Sequence, residues 1–308
     1  MNPYILRSSD PFAAPPYRAG GVTFHSFAVR TGFDSLNALL AAELGAVDPA
    51  RKFFAVLPYA VVTYVEIAQS QSLGGPPERQ GWYPENDLMV WLLTAQVTGD
   101  GSLSIGWYVP LVWVDHTVAV VEGREGFGYP KNLGTITIPG ADATDPTYLT
   151  TATVFPGEPA RQVTVEPVNR ITRQGTGGRS ATWTTVEQAS LDVLAQLAED
   201  AAEHWFHEHA PTVDLRGVFS ALPTNMFLLR QLRAPATPAL AEVQQLLSSP
   251  TVDVVFHGGG LLLGDWTVEF PVYPTLDVNT LLGLSGPTPV TLAYHLELDC
   301  TLGTPVPL

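Results

Sequence analysis

The feature that most limits the fold of this chain is a long succession of short apolar segments, which alternate like strands and are separated by turn-forming residues. Such segments, repeated with turn signals between them, are typical of antiparallel sheets. We therefore predict an α+β fold that is mainly antiparallel β-sheet. The predicted strands are 20–30, 53–69, 88–96, 103–109, 112–121, 135–138, 152–154, 162–165, 225–232, 252–257, 266–272 and 290–298.

A few segments show helical spacing of their apolar residues instead. The strongest is Thr185–Glu208, where leucines three positions apart are interspersed with acidic residues. Residues 33–44 and 238–247 are predicted to form shorter helices, the first with Asp34 or Ser35 as its cap.

Two further segments are predicted to lack regular structure. Residues 1–19 are rich in proline and should form an arm over the surface. Residues 167–184 are polar and rich in glycine, which predicts a loop or a mobile cover. Because we find no internal repeat and no clear boundary, we predict a single domain over 1–308.

Charge and composition argue against several classes of partner. The net charge is -15, from 15 Lys+Arg and 30 Asp+Glu, and such a surface repels nucleic acid. No stretch reaches the roughly 18 apolar residues of a membrane span, so we expect no membrane partner. Cys300 is the one cysteine, which fits a reducing cytoplasm.

Lysine occurs at two positions only, Lys52 and Lys131. A chain that otherwise uses arginine and keeps a lysine can need an amine that loses its proton, which arginine does not readily do. Codon bias with a solvent-exposed lysine explains the same composition. The choice between these explanations depends on the residues around Lys131.

Those residues form a motif. Gly123-Arg124-Glu125 is followed, after four residues, by Pro130-Lys131-Asn132-Leu133-Gly134. Together with Tyr64–Ile67 and Tyr83–Glu85, each carrying a glutamate, the segment resembles the acetoacetate decarboxylase family. In that family the lysine after the proline forms a Schiff base with a ketone. The resemblance implies a cone- or barrel-like pocket in the sheet and a homo-oligomer.

The resemblance also implies the site residues. Lys131, Glu66 and Glu85 are the predicted catalytic residues. The predicted substrate-binding residues are Tyr83, Phe127, Tyr129, Asn132 and Gln231. Two alternatives stay open: a lysine after a proline is commonly an exposed turn residue, and Glu66 could face solvent from its strand.

Imine formation requires an unprotonated amine, whereas a free lysine has a pKa of about 10.4. Burial or a nearby cation lowers that pKa. Acetoacetate decarboxylases carry a second lysine where this chain has Asn132, so burial would have to act alone. Their substrate-binding arginine corresponds to a position near Val22, with Arg18 close but displaced.

These departures favour an aldol condensation or dehydration over decarboxylation. We predict a Schiff-base lyase that acts on a small keto acid or an aldehyde. A decarboxylase of β-keto acids is the first alternative. A non-catalytic keto-acid-binding or biosynthetic accessory protein is the second.

A histidine cluster is the remaining candidate site. His204, His207 and His209 lie at the end of the predicted long helix, where a metal site is conceivable. A helix C-terminus also favours histidine through its dipole, and we prefer that explanation. We therefore expect no metal and no cofactor.

Overall fold

The computed structural model describes residues 14–75, 80–141, 143–180, 182–198 and 225–308, and strands dominate them. The mainly β fold predicted from the sequence is confirmed, as a ring of strands rather than a regular barrel. The strands are β1 (Tyr17–Arg30), β2 (Lys52–Ala55), β3 (Tyr59–Ser72), β4 (Trp82–Val97), β5 (Leu103–Val114), β6 (Lys131–Thr137), β7 (Thr147–Val154), β8 (Thr164–Gln174), β9 (Asn225–Ala234), β10 (Thr237–Leu261), β11 (Asp265–Glu269), β12 (Thr288–Leu302) and β13 (Val306–Pro307).

Helices are short and few among the described residues. They are α1 (Phe33–Leu40), α2 (Thr117–Glu122), α3 (Val186–Ala198) and α4 (Val278–Leu282). The first two each continue into a π-helical turn. None of the described helices is long and apolar enough to cross a membrane.

The sheet closes into two rings that share a wall. The wall is the run β12-β1-β3-β4-β5, in which each strand pairs antiparallel with the next. At both edges the wall forks. The free edge of β5 pairs with β9 and with β6, and the free edge of β12 pairs with β10 and with β11. One ring therefore closes through β9 and β10, and the second through β6, β7, β8 and β11.

Each face of the shared wall lines one ring. Side chains along a strand alternate between faces, so Val61 and Leu93 face the first ring while Val62 and Val90 face the second. All four are buried. Burial on both faces explains the nearly continuous apolar run at 59–65, which a sheet with one solvated face would not need.

Three sequence predictions about local structure are wrong. Residues 238–247 form strand and not helix, because they pair with β9 along its length. The strand predicted over 112–121 ends at Val114, and α2 follows. The loop predicted over 167–184 is β8 as far as Gln174, where β7 and β11 hold it from both sides.

Two helix predictions are confirmed where the structure describes them. Helix α1 starts at Phe33 as expected, and buries Leu36, Leu39 and Leu40 at helical spacing. Helix α3 begins at Val186. The predicted helix beyond Ala198, with the three histidines near its end, lies outside the described residues.

Candidate active site around Lys131

Lys131 opens β6 and points into the first ring. Its backbone N–H donates to the Tyr129 carbonyl, and its carbonyl accepts from Arg124 Nη1 at 3.2 Å. The aliphatic stem crosses Gly123 so closely that a Cβ there would lie 2.4 Å from Lys131 Cδ. Any larger residue at position 123 would displace the lysine. The side chain is buried, contrary to the alternative of an exposed turn lysine.

Two carboxylates of β4 meet the Lys131 ammonium. Glu85 Oε2 and Asp87 Oδ2 each lie 3.5 Å from Nζ. They share a face because they are two residues apart in a strand. Both are buried, at 6% and 3% exposure, so the three groups form a charged cluster removed from water.

Glu122 adds a third buried carboxyl from the end of α2. Its Oε2 accepts a hydrogen bond from Tyr83 Oη at 2.6 Å, and the Tyr83 ring stacks on His116 with the ring centroids 4.3 Å apart. The charge of Lys131 acts on Glu122, as does that of Glu85. Tyr83 therefore contacts the cluster through Glu122.

The cluster shifts the pKa values of its members. Burial alone lowers the pKa of Lys131, but the charges of Asp87 and Glu85 outweigh burial and raise it above its ordinary value. Burial raises the pKa of Asp87 to about 8 and that of Glu122 to about 7. Burial therefore does not act alone on the amine, because Asp87 and Glu85 lie beside it.

Several oxygens of the cluster lack hydrogen-bond partners. They are Glu85 Oε2, Asp87 Oδ1 and Glu122 Oε1, all buried. Glu85 Oε2 is within ion-pair distance of Nζ yet makes no hydrogen bond. Buried polar atoms are normally paired, so this cluster has free capacity to bind and to exchange protons.

Glu66 does not belong to this cluster, so its predicted convergence with Glu85 on Lys131 is wrong. In the register of β3 with β4, Glu66 lies opposite Asn86, and Ile67 lies opposite Glu85. Glu66 therefore projects from the other face of the shared wall. There its Oε2 lies 3.2 Å from His25 Nε2.

Two predicted substrate-binding residues lie away from the Lys131 amine. Asn132 is exposed and donates to the Pro130 carbonyl. Gln231 is exposed and lines a separate polar hollow beside Glu43 and Tyr108. Neither residue is in a position to bind a molecule held at Lys131.

Phe127 and Tyr129 are both buried beside the cluster. Phe127 packs on Tyr17 and on Tyr129, with ring centroids 5.5 Å and 5.9 Å apart, and so belongs to the core. Tyr129 also interacts electrostatically with Lys131, and its ring lines a large cavity.

That cavity occupies the first ring and measures about 240 Å³. Strands β1, β3, β4, β10 and β12 form its wall, and α3 covers it with residues such as Ala189, Val193 and Leu197. The lining is almost entirely apolar. Tyr129 brings the cavity next to the cluster, although Lys131 and its three carboxyl neighbours are not among the residues that line it.

The sequence analysis missed Asp87 and Glu122. The predicted strand began at residue 88 and left Glu85 and Asp87 outside it, but β4 already starts at Trp82. Strand alternation from Glu85 to Asp87 to Met89 was the available signal. The strand predicted over 112–121 ended before Glu122, and no sequence signal places the end of α2 beside Lys131.

Comparisons with known proteins identify the family of the chain. The family model for acetoacetate decarboxylase (ADC) matches residues 2–303. The chain belongs to the acetoacetate decarboxylase family. No functionally curated protein matches this member of the family.

Solved structures of the acetoacetate decarboxylase fold superpose on the chain. Acetoacetate decarboxylase of Legionella pneumophila is 14% identical with a TM-score of 0.62, covering 99% of this chain and 91% of its own. An acetoacetate decarboxylase-like enzyme from Sphingomonas wittichii RW1 is 17% identical with a TM-score of 0.62, covering 99% and 97%.

The enduracididine biosynthesis enzyme MppR, complexed with pyruvate, is 14% identical with a TM-score of 0.54, covering 97% and 93%. Likenesses at these identities show the fold. The fold and the family indicate a lyase, and leave the reaction to the chemistry of the pocket.

Proposed function

We propose that the protein is a Schiff-base lyase in which Lys131 binds a carbonyl compound covalently and promotes an aldol condensation or dehydration. The observation that carries the proposal is the buried Lys131 amine with Glu85 and Asp87 each 3.5 Å away. The adjacent carboxyls raise the pKa of Lys131 and so keep the amine protonated, and they are also the groups that can accept its proton before it attacks a carbonyl carbon.

Imine formation starts with a proton transfer. The Lys131 ammonium gives a proton to the Asp87 carboxylate, and the free amine attacks the carbonyl carbon of the substrate. The carbinolamine then loses its oxygen as water, which leaves a protonated iminium at the position of the former ammonium. Glu85 and Asp87 stabilise that cation as they stabilised the first.

Carbon–carbon chemistry follows from the iminium. Glu85 accepts a proton from the carbon next to the iminium, and the resulting enamine attacks the carbonyl carbon of a second, aldehyde substrate. A protonated carboxyl of the cluster gives its proton to the new alkoxide. Loss of that hydroxyl as water gives the unsaturated product, and hydrolysis of the iminium regenerates Lys131.

The residues around Lys131 support decarboxylation of a β-keto acid less well than they support aldol chemistry. It requires a cation for the substrate carboxylate, and the chain places carboxyls around Lys131 instead. Arg18, the nearest sequence candidate, follows Tyr17 in β1 and is exposed, while Tyr17 is buried and interacts with Glu122. The structure of MppR with the condensation product of pyruvate and imidazole 4-carboxaldehyde supports aldol chemistry for this fold.

The test is reductive trapping with borohydride, read by intact mass and peptide mapping. Acetone and pyruvate serve as small probes. We expect one ligand mass on Lys131 and none after Lys131→Arg, because a guanidinium forms no stable imine at accessible pH. Lys52→Arg is the matched control, since Lys52 is the other lysine in the chain and is exposed.

Two results would contradict the proposal. Labelling at Lys52 or at the N-terminal amine would show that Lys131 is unreactive. Trapping at Lys131 without turnover of any ketone and aldehyde pair would favour the non-catalytic binding protein.

A further inference from the structure

The cavity beside Lys131 indicates the class of substrate. We infer that the substrate is a neutral carbonyl compound with an apolar alkyl or aryl tail, and that the tail fills the cavity under α3. The inference rests on the proposed function and departs from the small keto acid predicted from the sequence.

Strand β4 connects the cavity to the reactive amine. Leu93 and Trp91 line the cavity, and Asp87 and Glu85 lie further along the same face of the same strand. Tyr129 lines the cavity while interacting electrostatically with Lys131. Lys131, Glu85 and Asp87 do not themselves line the cavity, so the tail of a carbonyl compound held at Lys131 Nζ would pass Tyr129 to enter it.

The cavity wall is suited to binding apolar groups rather than water. Among the described residues, the wall carries no lysine, arginine or carboxylate. Its Ser26 and Thr63 hydroxyls hydrogen-bond each other at 3.2 Å. The buried Trp91 indole N–H has no partner, and could bind one oxygen within a tail. Apolar cavities stay empty of water and accept apolar ligands.

The size of the cavity suits the apolar tail of a substrate better than it suits a small keto acid. Its volume of about 240 Å³ exceeds the roughly 150 Å³ of an engineered apolar cavity that stays dry and binds benzene. Pyruvate would leave most of it empty. An empty apolar cavity is unfavourable because its lining atoms lose contacts on one side, so we expect a ligand to complete the packing.

The charges near the amine disfavour an anionic substrate. Glu85, Asp87 and Glu122 are all buried within the cluster, and Lys131 is the cation that pairs with the first two. Once Lys131 is consumed as an iminium, a substrate carboxylate would have no second cation among the described wall residues. A neutral ketone or aldehyde avoids that repulsion.

A series of methyl ketones from acetone to 2-undecanone tests the inference through borohydride trapping at Lys131. The half-saturating concentration should fall about fourfold per added methylene, as expected for transfer of a methylene from water to an apolar site, until the cavity is full. Pyruvate and acetoacetate should require concentrations at least a hundredfold higher than 2-nonanone. Equal half-saturation across the series, or tighter capture of the keto acids, would overturn the inference.

Substitutions in α3 locate the tail. Ala189→Trp places a large ring in the cavity, and should reduce the preference for 2-nonanone over acetone by at least tenfold. Leu191→Trp is the matched control, because Leu191 is 44% exposed on the opposite side of α3. Ala189→Leu serves if the larger variant does not fold. An unchanged preference in both Ala189 variants would contradict the assignment.

One further experiment distinguishes failure of this inference from failure of the proposed function. In Lys131→Arg no imine forms, yet 1-octanol should still bind the cavity and change the fluorescence of Trp91 and Trp107, whose rings form a T-shaped pair. Octanol binding without ketone trapping in the wild type would reject the Schiff base and keep the apolar site. Ketone trapping that does not depend on chain length would keep the Schiff base and reject the apolar site.

Discussion

Buried polar groups are hydrogen-bonded on one face of the shared wall and are partly unpaired on the other. On the second-ring face, His25 contacts Glu66 and Tyr148, at 3.2 Å and 3.0 Å, and Tyr64 donates to Asn169 at 2.9 Å. We call these five residues the His25–Asn169 network. On the first-ring face, the cluster of Lys131, Glu85, Asp87 and Glu122 leaves three carboxyl oxygens without hydrogen bonds.

The difference separates a structural network from a reactive one. Paired polar groups in a core stabilise one arrangement, whereas buried carboxyl oxygens without hydrogen bonds destabilise the fold and are retained at functional sites. The two sets lie on neighbouring strands, since Glu66 of β3 lies opposite Asn86 of β4, between Glu85 and Asp87. Substitutions on one face should therefore change chemistry, and substitutions on the other should change stability.

The largest effect is expected for Asp87→Asn. An amide cannot accept the Lys131 proton, so imine formation should slow by roughly a hundredfold or more. Glu85 still pairs with Lys131 in this variant, so the midpoint of thermal unfolding should change less than the trapping rate. Timed borohydride quenching and thermal unfolding measure the two quantities, with Asp265→Asn at an exposed position as control. A trapping rate close to that of the wild type would remove Asp87 from the mechanism.

On the other face, Asn169→Ala should destabilise the protein by about 2–4 kcal/mol. Asn169 is fully buried, accepts from Tyr64 Oη and donates to the Glu269 carbonyl. Tyr64→Phe should cost about 1–2 kcal/mol, because only one hydroxyl is lost. Urea unfolding measures both. If either variant slowed imine trapping while leaving stability intact, the two faces would not be separable.

Glu122→Gln should change how stability depends on pH. The pKa of Glu122 is raised to about 7 from its ordinary 4.5. Between these values the unfolded chain releases the proton while the folded protein keeps it, so the wild type loses stability as pH rises. The variant should gain up to about 3 kcal/mol relative to wild type between pH 4 and pH 8.

Chemical unfolding at a series of pH values measures this change. Glu187→Gln, at an exposed position in the first turn of α3, provides the control with the same chemical change. A constant difference in stability between variant and wild type across the range would show that Glu122 ionises normally.

The smallest effect is expected for Glu66→Gln. Its side chain is half exposed, so loss of the His25 ion pair should cost less than about 1 kcal/mol. His25 lowers the pKa of Glu66, chiefly through their hydrogen bond. The stabilisation is therefore present at neutral pH and disappears as pH falls through that lowered pKa. The trapping rate should stay at the wild-type value, and a tenfold loss would return Glu66 to the mechanism.

The sequence predicted the mainly β fold and the meeting of Lys131 with Glu85, because strand patterns and the Pro130-Lys131 motif are local. It could not predict which face Glu66 uses. Strand β3 is buried on both faces between Tyr59 and Val65, so its pattern carries no alternation from which to read direction. A shift of one residue in the alternation of β3 would place Glu66 on the opposite face, the one that carries Lys131 and Glu85.

The direction in which the pKa of Lys131 is shifted could not be predicted, for a related reason. Burial could be inferred from its apolar flanks, but the partners that raise the pKa come from β4 and from α2. Residues 238–247 are a second case in which distant partners, and not the local sequence, decide the structure. Their helical spacing is real, but pairing with β9 provides more hydrogen bonds to neighbours than a short helix could supply to itself.

The pairing of β1 with β12 joins residues 17–30 to residues 290–302. Because β12 belongs to both rings, neither can close on a ribosome until almost all of this sequence has emerged. Until then the free edge of β1 is an open template for pairing with other chains. Such distant contacts slow folding and prolong exposure to aggregation. We expect refolding on the millisecond-to-second scale or slower, and high yields in cells only where chaperones shield that edge.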